Sequence, residues 1–237
     1  MTAAHFFIDD VDETSVRITG PDAHHAARAL RIQPGEEITV SDGRGNIARA
    51  RVTASSASVL SAEVIARTSV EHPSPRVVVF PAVPKAGKLD AVVQKLTEIG
   101  VDEIRPWFAA RSVVRWGDAK ASARAERLRA IAREAAMQSR RAWLPVVADP
   151  GPLEHVPPMT VVLDESAAVR LSAVLSAVAP NEVGVVVGPE GGLTPDEVER
   201  LVGLGAIAAS LGDQILRTET AAVVGPALVL AGYERLG

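Results

Sequence analysis

The sequence contains no cysteine among its 237 residues, which excludes disulfide bonds and thiolate-bound metal. It also lacks a membrane-spanning run, because its longest apolar stretch, near residues 223–232, is about ten residues and a span needs about twenty. The first residues lack the basic segment and apolar centre of a signal peptide. These absences predict a cytoplasmic protein that does not enter a membrane.

Several ligand-binding patterns are missing as well. The segment Lys85–Lys88 lacks the first glycine and the Ser or Thr of a phosphate loop, and no G-x-G-x-x-G follows the apolar strand predicted at 76–80. No His-Glu-x-x-His occurs, and the side chains of the neighbours His24 and His25 would point about 100° apart on a helix. We therefore expect no triphosphate site, no Rossmann-type donor site and no metal. Packing and RNA contact remain open for the two histidines.

Negative charge slightly exceeds positive charge, since the net charge is −4, but the positive charge is concentrated locally. Residues 111–141 contain nine basic and three acidic residues. The basic ones are Arg111, Arg115, Lys120, Arg124, Arg127, Arg129, Arg133, Arg140 and Arg141. A helix with this concentration of arginine presents either a solvated face or a surface that binds a polyanion such as RNA.

The order of patterns predicts two domains. Residues 1–70 indicate a small β-rich domain with a helix at Pro21–Arg31 and a hairpin turn at Asp42–Asn46. Residues 71–75 form a proline-rich linker. From residue 76 to 237, strands alternate with helices at 89–99, 121–140 and 169–178, which predicts a mainly parallel sheet.

Two glycine-bearing loops dominate the C-terminal part. The loop 188–193 follows the β-branched strand 183–187 and precedes Thr194 and Glu197, a helix-capping pair. The loop 211–221 follows a second apolar run at 206–211. Because ligands bind at the carboxyl ends of strands in α/β sheets, we expect both loops to form one pocket.

The two loops together resemble the signature of SPOUT-class methyltransferases, and the closest likeness is the ribosomal RNA small subunit methyltransferase E family. The resemblance implies an α/β domain tied in a trefoil knot, a PUA-like β-barrel in residues 1–70, and a homodimer. It also implies S-adenosyl-L-methionine as methyl donor. The expected substrate is ring nitrogen 3 of a uridine in 16S ribosomal RNA, free or in the assembled small subunit.

The resemblance also assigns roles to individual residues. The donor site is expected at Leu163, Gly188, Glu190, Gly191, Gly192, Leu211, Gly212, Ile215 and Leu216. RNA contacts are expected at His25, Arg28, Arg31, Arg111, Arg124, Arg127 and Arg140, where the i, i+3 spacing of Arg28 and Arg31 predicts a shared helical face. Arg217 and Glu219 are the expected catalytic residues, with Arg217 as stabiliser of the uridine anion.

Three questions stay open at this level. The proton acceptor is either Glu219 or Glu190, or Glu219 only favours the positive end of the last helix. The substrate is alternatively another RNA such as transfer RNA, or the protein is a ribosome-assembly factor without turnover. Pro226 lies inside the last apolar run and is expected to kink or delay its helix.

Overall fold

The structure, a computed structural model, describes residues 3–85, 87–114, 116–175 and 180–237. Arg115 of the basic segment and residues 176–178 of the predicted helix 169–178 lie outside the described residues. The chain divides into two compact units. The first comprises Met1–His72 and Ala136–Leu144, and the second comprises Pro73–Ala135 and Pro145–Gly237.

The first unit is a five-stranded mixed sheet with one short helix. Its elements are β1 (Ala4–Phe7), β2 (Ser15–Thr19), α1 (Gly20–His25), a π-helical turn (Ala26–Leu30), β3 (Glu37–Ser41), β4 (Asn46–Ser55) and β5 (Val59–Ser69). The strand order is β1-β3-β4-β5-β2, with β1 and β3 parallel and the other pairs antiparallel. Alternating residues of these strands bury one apolar core.

The predicted hairpin joins β3 to β4. The side chain of Asp42 stabilises it, and it requires glycine at position 45. The Asp42 carboxylate accepts the backbone N–H groups of Arg44 at 2.7 Å and Asn46 at 3.2 Å. A Cβ on Gly45 would lie 2.6 Å from the carbonyl oxygen of Val70 and from the ring of Trp143. Only glycine allows the hairpin to approach Val70 and Trp143 this closely.

The helix predicted at Pro21–Arg31 is divided into α1 and the π-helical turn. Arg31 follows in the left-handed conformation, with φ 55° and ψ 37°. The expectation that Arg28 and Arg31 share one α-helical face is therefore wrong, because i, i+3 spacing has that meaning only inside a regular α-helix.

The second unit is built around a six-stranded sheet. Its elements are β6 (Arg76–Pro81), α2 (Lys88–Ile99), β7 (Glu103–Ile104), α3 (Asp118–Gln138, whose end enters the first unit), β8 (Val146–Val147), β9 (Met159–Leu163), α4 (Leu171–Val174), β10 (Glu182–Val187), α5 (Pro195–Gly203), β11 (Ile207–Ala209) and α6 (Thr218–Gly232). The strand order is β11-β9-β10-β6-β7-β8, and every pair is parallel. The α/β prediction is confirmed, whereas the knot stays a prediction.

Both faces of this sheet are buried, which explains its continuous apolar strands. Along β6, Val77 and Val79 pack into one cluster, while Val78 and Phe80 pack into another on the opposite face. Strand β7 ends at Ile104, two residues before Pro106, which cannot donate to a ladder.

The last helix departs from the expectation for Pro226. Helix α6 begins at Thr218 and runs unbroken to Gly232 with Pro226 buried inside it, so the proline does not delay the helix. A Cβ on Gly225 would lie 2.5 Å from Cδ1 of Leu163. The pair Gly225–Pro226 thus lets α6 pack directly against the end of β9. None of the helices in the described ranges combines the length and apolarity needed to cross a bilayer.

Candidate functional site

A cavity of about 1050 Å³ lies at the carboxyl ends of β9 and β10. Three loops line it, namely those that follow β9, β10 and β11, together with the first residues of α2 and α6. The pairing of β10 with both β9 and β6 brings these segments to one edge of the sheet. The prediction of a pocket at the two glycine loops agrees with this geometry.

The first glycine loop presents backbone to the cavity. Gly192 has φ +71°, and its N–H donates to the carbonyl oxygen of Pro189 at 2.9 Å. A Cβ on Gly191 would lie 3.3 Å from Cβ of Arg111, and one on Gly188 would lie 3.0 Å from Cγ of Leu193. The loop therefore packs tightly on its own supports while its main chain stays accessible.

Arg111 holds this loop in place. Its Nη1 atom donates to the carbonyl oxygens of Gly191 at 2.9 Å and Leu193 at 3.3 Å. The guanidinium is planar and permanently charged, so it fixes two carbonyl groups at once. Arg111, predicted among the RNA-binding residues, therefore lines the candidate donor cavity.

The start of α5 anchors the far end of the loop. Thr194 and Glu197 form the predicted capping box, since Thr194 accepts the Glu197 N–H at 3.2 Å and the Glu197 carboxylate accepts the Thr194 N–H at 2.9 Å. The other Glu197 oxygen accepts the N–H of Ala110 at 2.7 Å. Glu197 thus has the structural role that the sequence predicted.

Lys88 connects the two glycine loops through carboxylates. Its ammonium lies 3.2 Å from Oε2 of Glu219 and 3.5 Å from Oε1 of Glu190. Glu190 also accepts the backbone N–H of Lys85 at 3.1 Å. Lys88 is the first residue of α2, where the helix dipole disfavours a positive charge. Residues that break such a local rule are expected at functional sites.

The ion pair between Lys88 and Glu219 changes the pKa of both groups. The pKa of Glu219 lies below its ordinary value, because its own backbone N–H and then Lys88 donate to the carboxylate. The pKa of Lys88 is raised, mainly by its hydrogen bond to Glu219. Both groups are therefore charged at neutral pH.

Arg217 is the exposed residue immediately before α6. Its guanidinium forms no hydrogen bond or ion pair with a residue in the described ranges, although its charge helps to lower the pKa of Glu219. Arg217 is thus a charged group at the cavity that remains available to a substrate. Ile215, two residues earlier, is 83% exposed, so it is not a core residue of the single chain.

The structure brings most of the predicted donor-site residues together. The cavity is lined by Leu163, Gly188, Glu190, Gly191, Gly192, Ile215 and Leu216, and by the predicted catalytic residues Arg217 and Glu219. Leu211 and Gly212 are not among its lining residues. Leu211 packs against the core of the second unit, and Gly212 forms the turn with φ +124°.

The predicted RNA-binding residues lie in both units. His25, Arg28, Arg31 and Arg140 are exposed in the first unit. In the second unit, the Arg124 guanidinium lies 5.6 Å from the ring centroid of Trp116. Arg127 donates to one carboxylate oxygen of Asp90 at 2.9 and 2.7 Å, so its charge is compensated within the protein.

Sequence reasoning missed the contributions of three segments to the cavity, namely the residues after β9, helix α5 and the start of α2. Asp164, Glu165 and Ser166 follow β9, and their position after a predicted strand was the available signal. Val198 and Val202 contribute from α5. The only sequence pattern that includes Lys88 is the segment Lys85–Lys88, which does not match a phosphate loop. Across the described part of the chain, no three acidic or histidine side chains are placed to hold a metal.

Comparisons with known proteins fit this architecture. A family model for an RNA methyltransferase domain matches residues 71–230, and a model for an RNA methyltransferase PUA domain matches residues 18–64. These two matches define the class: an RNA methyltransferase domain preceded by a PUA domain.

Individual relatives narrow the class to a family. The chain is 37% identical to ribosomal RNA small subunit methyltransferase E of Mycobacterium bovis, covering 94% of this chain and 90% of the relative. It is 35% identical to the protein of that name from Bacillus subtilis, covering 86% and 85%. The chain belongs to the ribosomal RNA small subunit methyltransferase E family, as its loops predicted.

A solved structure agrees over the whole fold. The ribosomal RNA small subunit methyltransferase E of Neisseria gonorrhoeae, determined bound to S-adenosyl methionine, superposes with a TM-score of 0.85 at 26% identity. The superposition covers 97% of this chain and 98% of that one.

Proposed function

We propose that the protein transfers a methyl group from S-adenosyl-L-methionine to ring nitrogen 3 of a uridine in 16S ribosomal RNA. The observation that carries the proposal is the cavity at the two glycine loops, which combines exposed main chain with Arg217 in a chain of this family. The family relatives are named for the small-subunit ribosomal RNA.

The residues of the cavity suit the methyl donor. Its volume of about 1050 Å³ is at the upper end of the roughly 300–1,000 Å³ typical of small-molecule sites. Backbone groups of Gly191 and Gly192 provide donors and acceptors for adenine and the methionine end, while Leu163, Ile215 and Leu216 provide apolar walls. When bound, the donor supplies an electrophilic methyl group on a sulfonium.

The chain's own residues then manage the charge of the uracil ring. Ring nitrogen 3 carries a proton that must leave before the nitrogen can attack, so the reaction passes through an anion or a species close to one. Arg217 is available to stabilise that negative charge. Glu219, whose pKa is lowered, accepts a proton poorly. We infer that Glu219 positions Lys88, and that Lys88 and Arg217 are the two cations that stabilise the uracil anion.

A methyl-transfer assay tests the proposed function directly. Radiolabelled donor is supplied with undermethylated small subunits, naked 16S RNA or transfer RNA, and the modified nucleotide is mapped. We expect label at one uridine of 16S RNA. Label in transfer RNA would identify a different substrate, and RNA binding without any label would indicate an assembly factor.

The donor site has its own test at Gly192. Asparagine tolerates positive φ better than other non-glycine residues, so Gly192→Asn keeps the turn while adding a side chain to the cavity. We expect donor affinity, measured by calorimetry, to fall about 10-fold or more, the scale of losing one well-placed contact. Gly20→Asn is the matched control, since Gly20 has φ +67° and open space around its Cβ position. Equal donor affinity in both variants would refute the assignment.

Two arginines of the first unit support an RNA-binding role there. Arg31 and Arg140 have φ 55° and 57°, a conformation that costs a residue with a Cβ about 1–2 kcal/mol. At Arg140 the turn closes with two hydrogen bonds, from Arg140 N–H to Met137 and from Arg141 N–H to Ala136, where glycine is the usual choice. Arginine at both strained positions favours a role for the side chains, namely contact with phosphate.

The matching test removes charge without changing the turns. In Arg31→Asn/Arg140→Asn, the backbone conformation remains accessible while two cations are lost. We expect weaker binding to 16S RNA and a salt dependence that is shallower by about two phosphate contacts, with an unchanged or higher melting temperature. Unaltered RNA affinity and salt slope would show that the two side chains do not contact RNA.

We also propose that the active form is a cytoplasmic homodimer. Helix α6 exposes Leu228 at 46%, and Ile215, three residues before the start of the helix, is exposed at 83%. An interface through this region would cover both side chains. Light scattering at micromolar concentration measures the mass, and an active monomer would disprove the proposal.

A further inference from the structure

A second cavity, of about 210 Å³, lies in the second unit. Its apolar wall consists of Pro84, Leu89, Val114, Trp116 and Leu128, and Lys120 and Arg124 of α3 also line it. This second cavity is smaller than the roughly 300–1,000 Å³ of sites for whole drug-sized ligands. It therefore fits a single ring system rather than another cofactor.

The second cavity adjoins the proposed donor cavity along one stretch of backbone. Gly87 and Leu89 line the second cavity, while Lys88 between them lines the first. Consecutive Cα atoms are about 3.8 Å apart, so the two cavities lie on either side of the start of α2. A chain molecule whose reacting unit occupies the first cavity has its neighbouring units close to the second.

The charges around the second cavity favour a polyanion. Within the part of the chain that the structure describes, neither Lys120 nor Arg124 pairs with a carboxylate. Asp90, the acidic residue of the lining, is compensated by Arg127. Two uncompensated cations thus accompany an apolar wall that includes a tryptophan.

We propose that the second cavity binds one unstacked nucleobase of the RNA, from a nucleotide flanking the target uridine, with Lys120 and Arg124 at its phosphate. This rests on the proposed function. Proteins that bind single-stranded RNA place bases on aromatic rings and arginine planes and put cations along the backbone. Trp116 provides the aromatic surface, and the Arg124 guanidinium, 5.6 Å from the ring centroid, places a cation beside it. Extracting a base next to the target also helps to unstack the target itself.

Tryptophan fluorescence of the full-length protein tests the subsite with an oligouridylate hexamer as probe. Trp107 is buried and donates to the Phe80 carbonyl, so it is shielded from a ligand. Trp143 lies in the first unit and contributes equally to the wild type and to Trp116→Phe, so the difference between the two proteins reports Trp116. We expect the hexamer to quench the wild-type emission, and the quenched component to disappear in Trp116→Phe. Quenching that is the same in both proteins, or no quenching of either at saturating hexamer, would overturn the proposal.

A charge variant gives an independent measurement. Lys120→Gln should weaken hexamer binding about 5- to 10-fold and reduce the salt slope by about one. Lys95→Gln is the matched control, because Lys95 is a surface lysine of α2 whose charge is already paired with Glu98 at 2.7 Å. Equal affinities for the two variants would count against the subsite.

The subsite and the proposed function can fail separately. If no RNA is methylated but Trp116 is quenched and Lys120→Gln binds weakly, the function is wrong and the subsite stands. If 16S RNA is methylated while Trp116 and Lys120 do not respond, the subsite is wrong and the function stands.

Discussion

Replacing Arg217 by alanine should lower the single-turnover rate of methylation by about 10²–10³ while donor affinity stays nearly unchanged. A preorganised charge aimed at a developing anion contributes on this scale, and its removal affects the transition state more than the bound ground state. Arg217 meets the structural condition, since it lines the cavity and is exposed. Only its backbone carbonyl supports α6, by accepting the N–H groups of Thr220 and Ala221. The substitution therefore leaves the helix intact.

Two further variants sharpen this result. Arg217→Lys should recover part of the rate, because a point charge replaces a planar group. Arg170→Ala serves as a matched arginine control, since Arg170 pairs with Asp213 in the second glycine loop at 2.8 Å. A normal rate in Arg217→Ala would assign stabilisation of the uracil anion to another group.

The sequence predicts those parts of the fold and of the site that depend on residues close together along the chain. Glycines after the β-branched strand β10 and the Thr194–Glu197 capping pair indicate a loop at a strand's carboxyl end, and the structure has it there. The alternation of apolar strands with helices likewise predicts a parallel sheet. Each of these signals is local, and local propensity and periodicity are what a single sequence records.

The parts of the site that the sequence did not predict depend on strand order, and the periodicity of a sequence carries no information on strand order. Lys88 reaches Glu190 and Glu219 because β6, which precedes α2, pairs with β10 more than 100 residues later in the chain. Asp164 joins the cavity because β9 pairs with the other edge of β10.

The end of α3 is another feature that local sequence patterns do not predict. Residues 136–144 belong to the compact unit formed by residues 1–72, although the chain has by then passed through much of the second unit. Trp143, for example, donates to the Val70 carbonyl at 2.9 Å. Deleting residues 1–70 would remove this partner, so point substitutions test the role of the first unit more cleanly than truncation.

The position of Lys88 makes a second large effect testable and addresses the identity of the proton acceptor. In Lys88→Met, Glu190 and Glu219 lose the cation between them, so two carboxylates face each other across the cavity wall. Like charges raise carboxyl pKa values, and the loss of the Lys88 hydrogen bond acts in the same direction on Glu219. If ionised Glu219 is the proton acceptor, the acid limb of the pH–rate profile should therefore move to higher pH.

The rate at pH values above the acid limb distinguishes the two possible roles of Glu219. If Glu219 positions Lys88, the variant loses a cation that stabilises the uracil anion, and we expect single-turnover rates about 10² lower at every pH. If Glu219 is itself the base, its raised pKa makes it a better proton acceptor, and the rate above the limb should equal or exceed that of the wild type. Lys88→Arg should keep most of the rate in the first case. Lys95→Met, on the same helix, controls for the loss of one surface charge. A profile of Lys88→Met that matches the wild type in both position and height would show that the contacts of Lys88 with Glu190 and Glu219 have no part in the reaction.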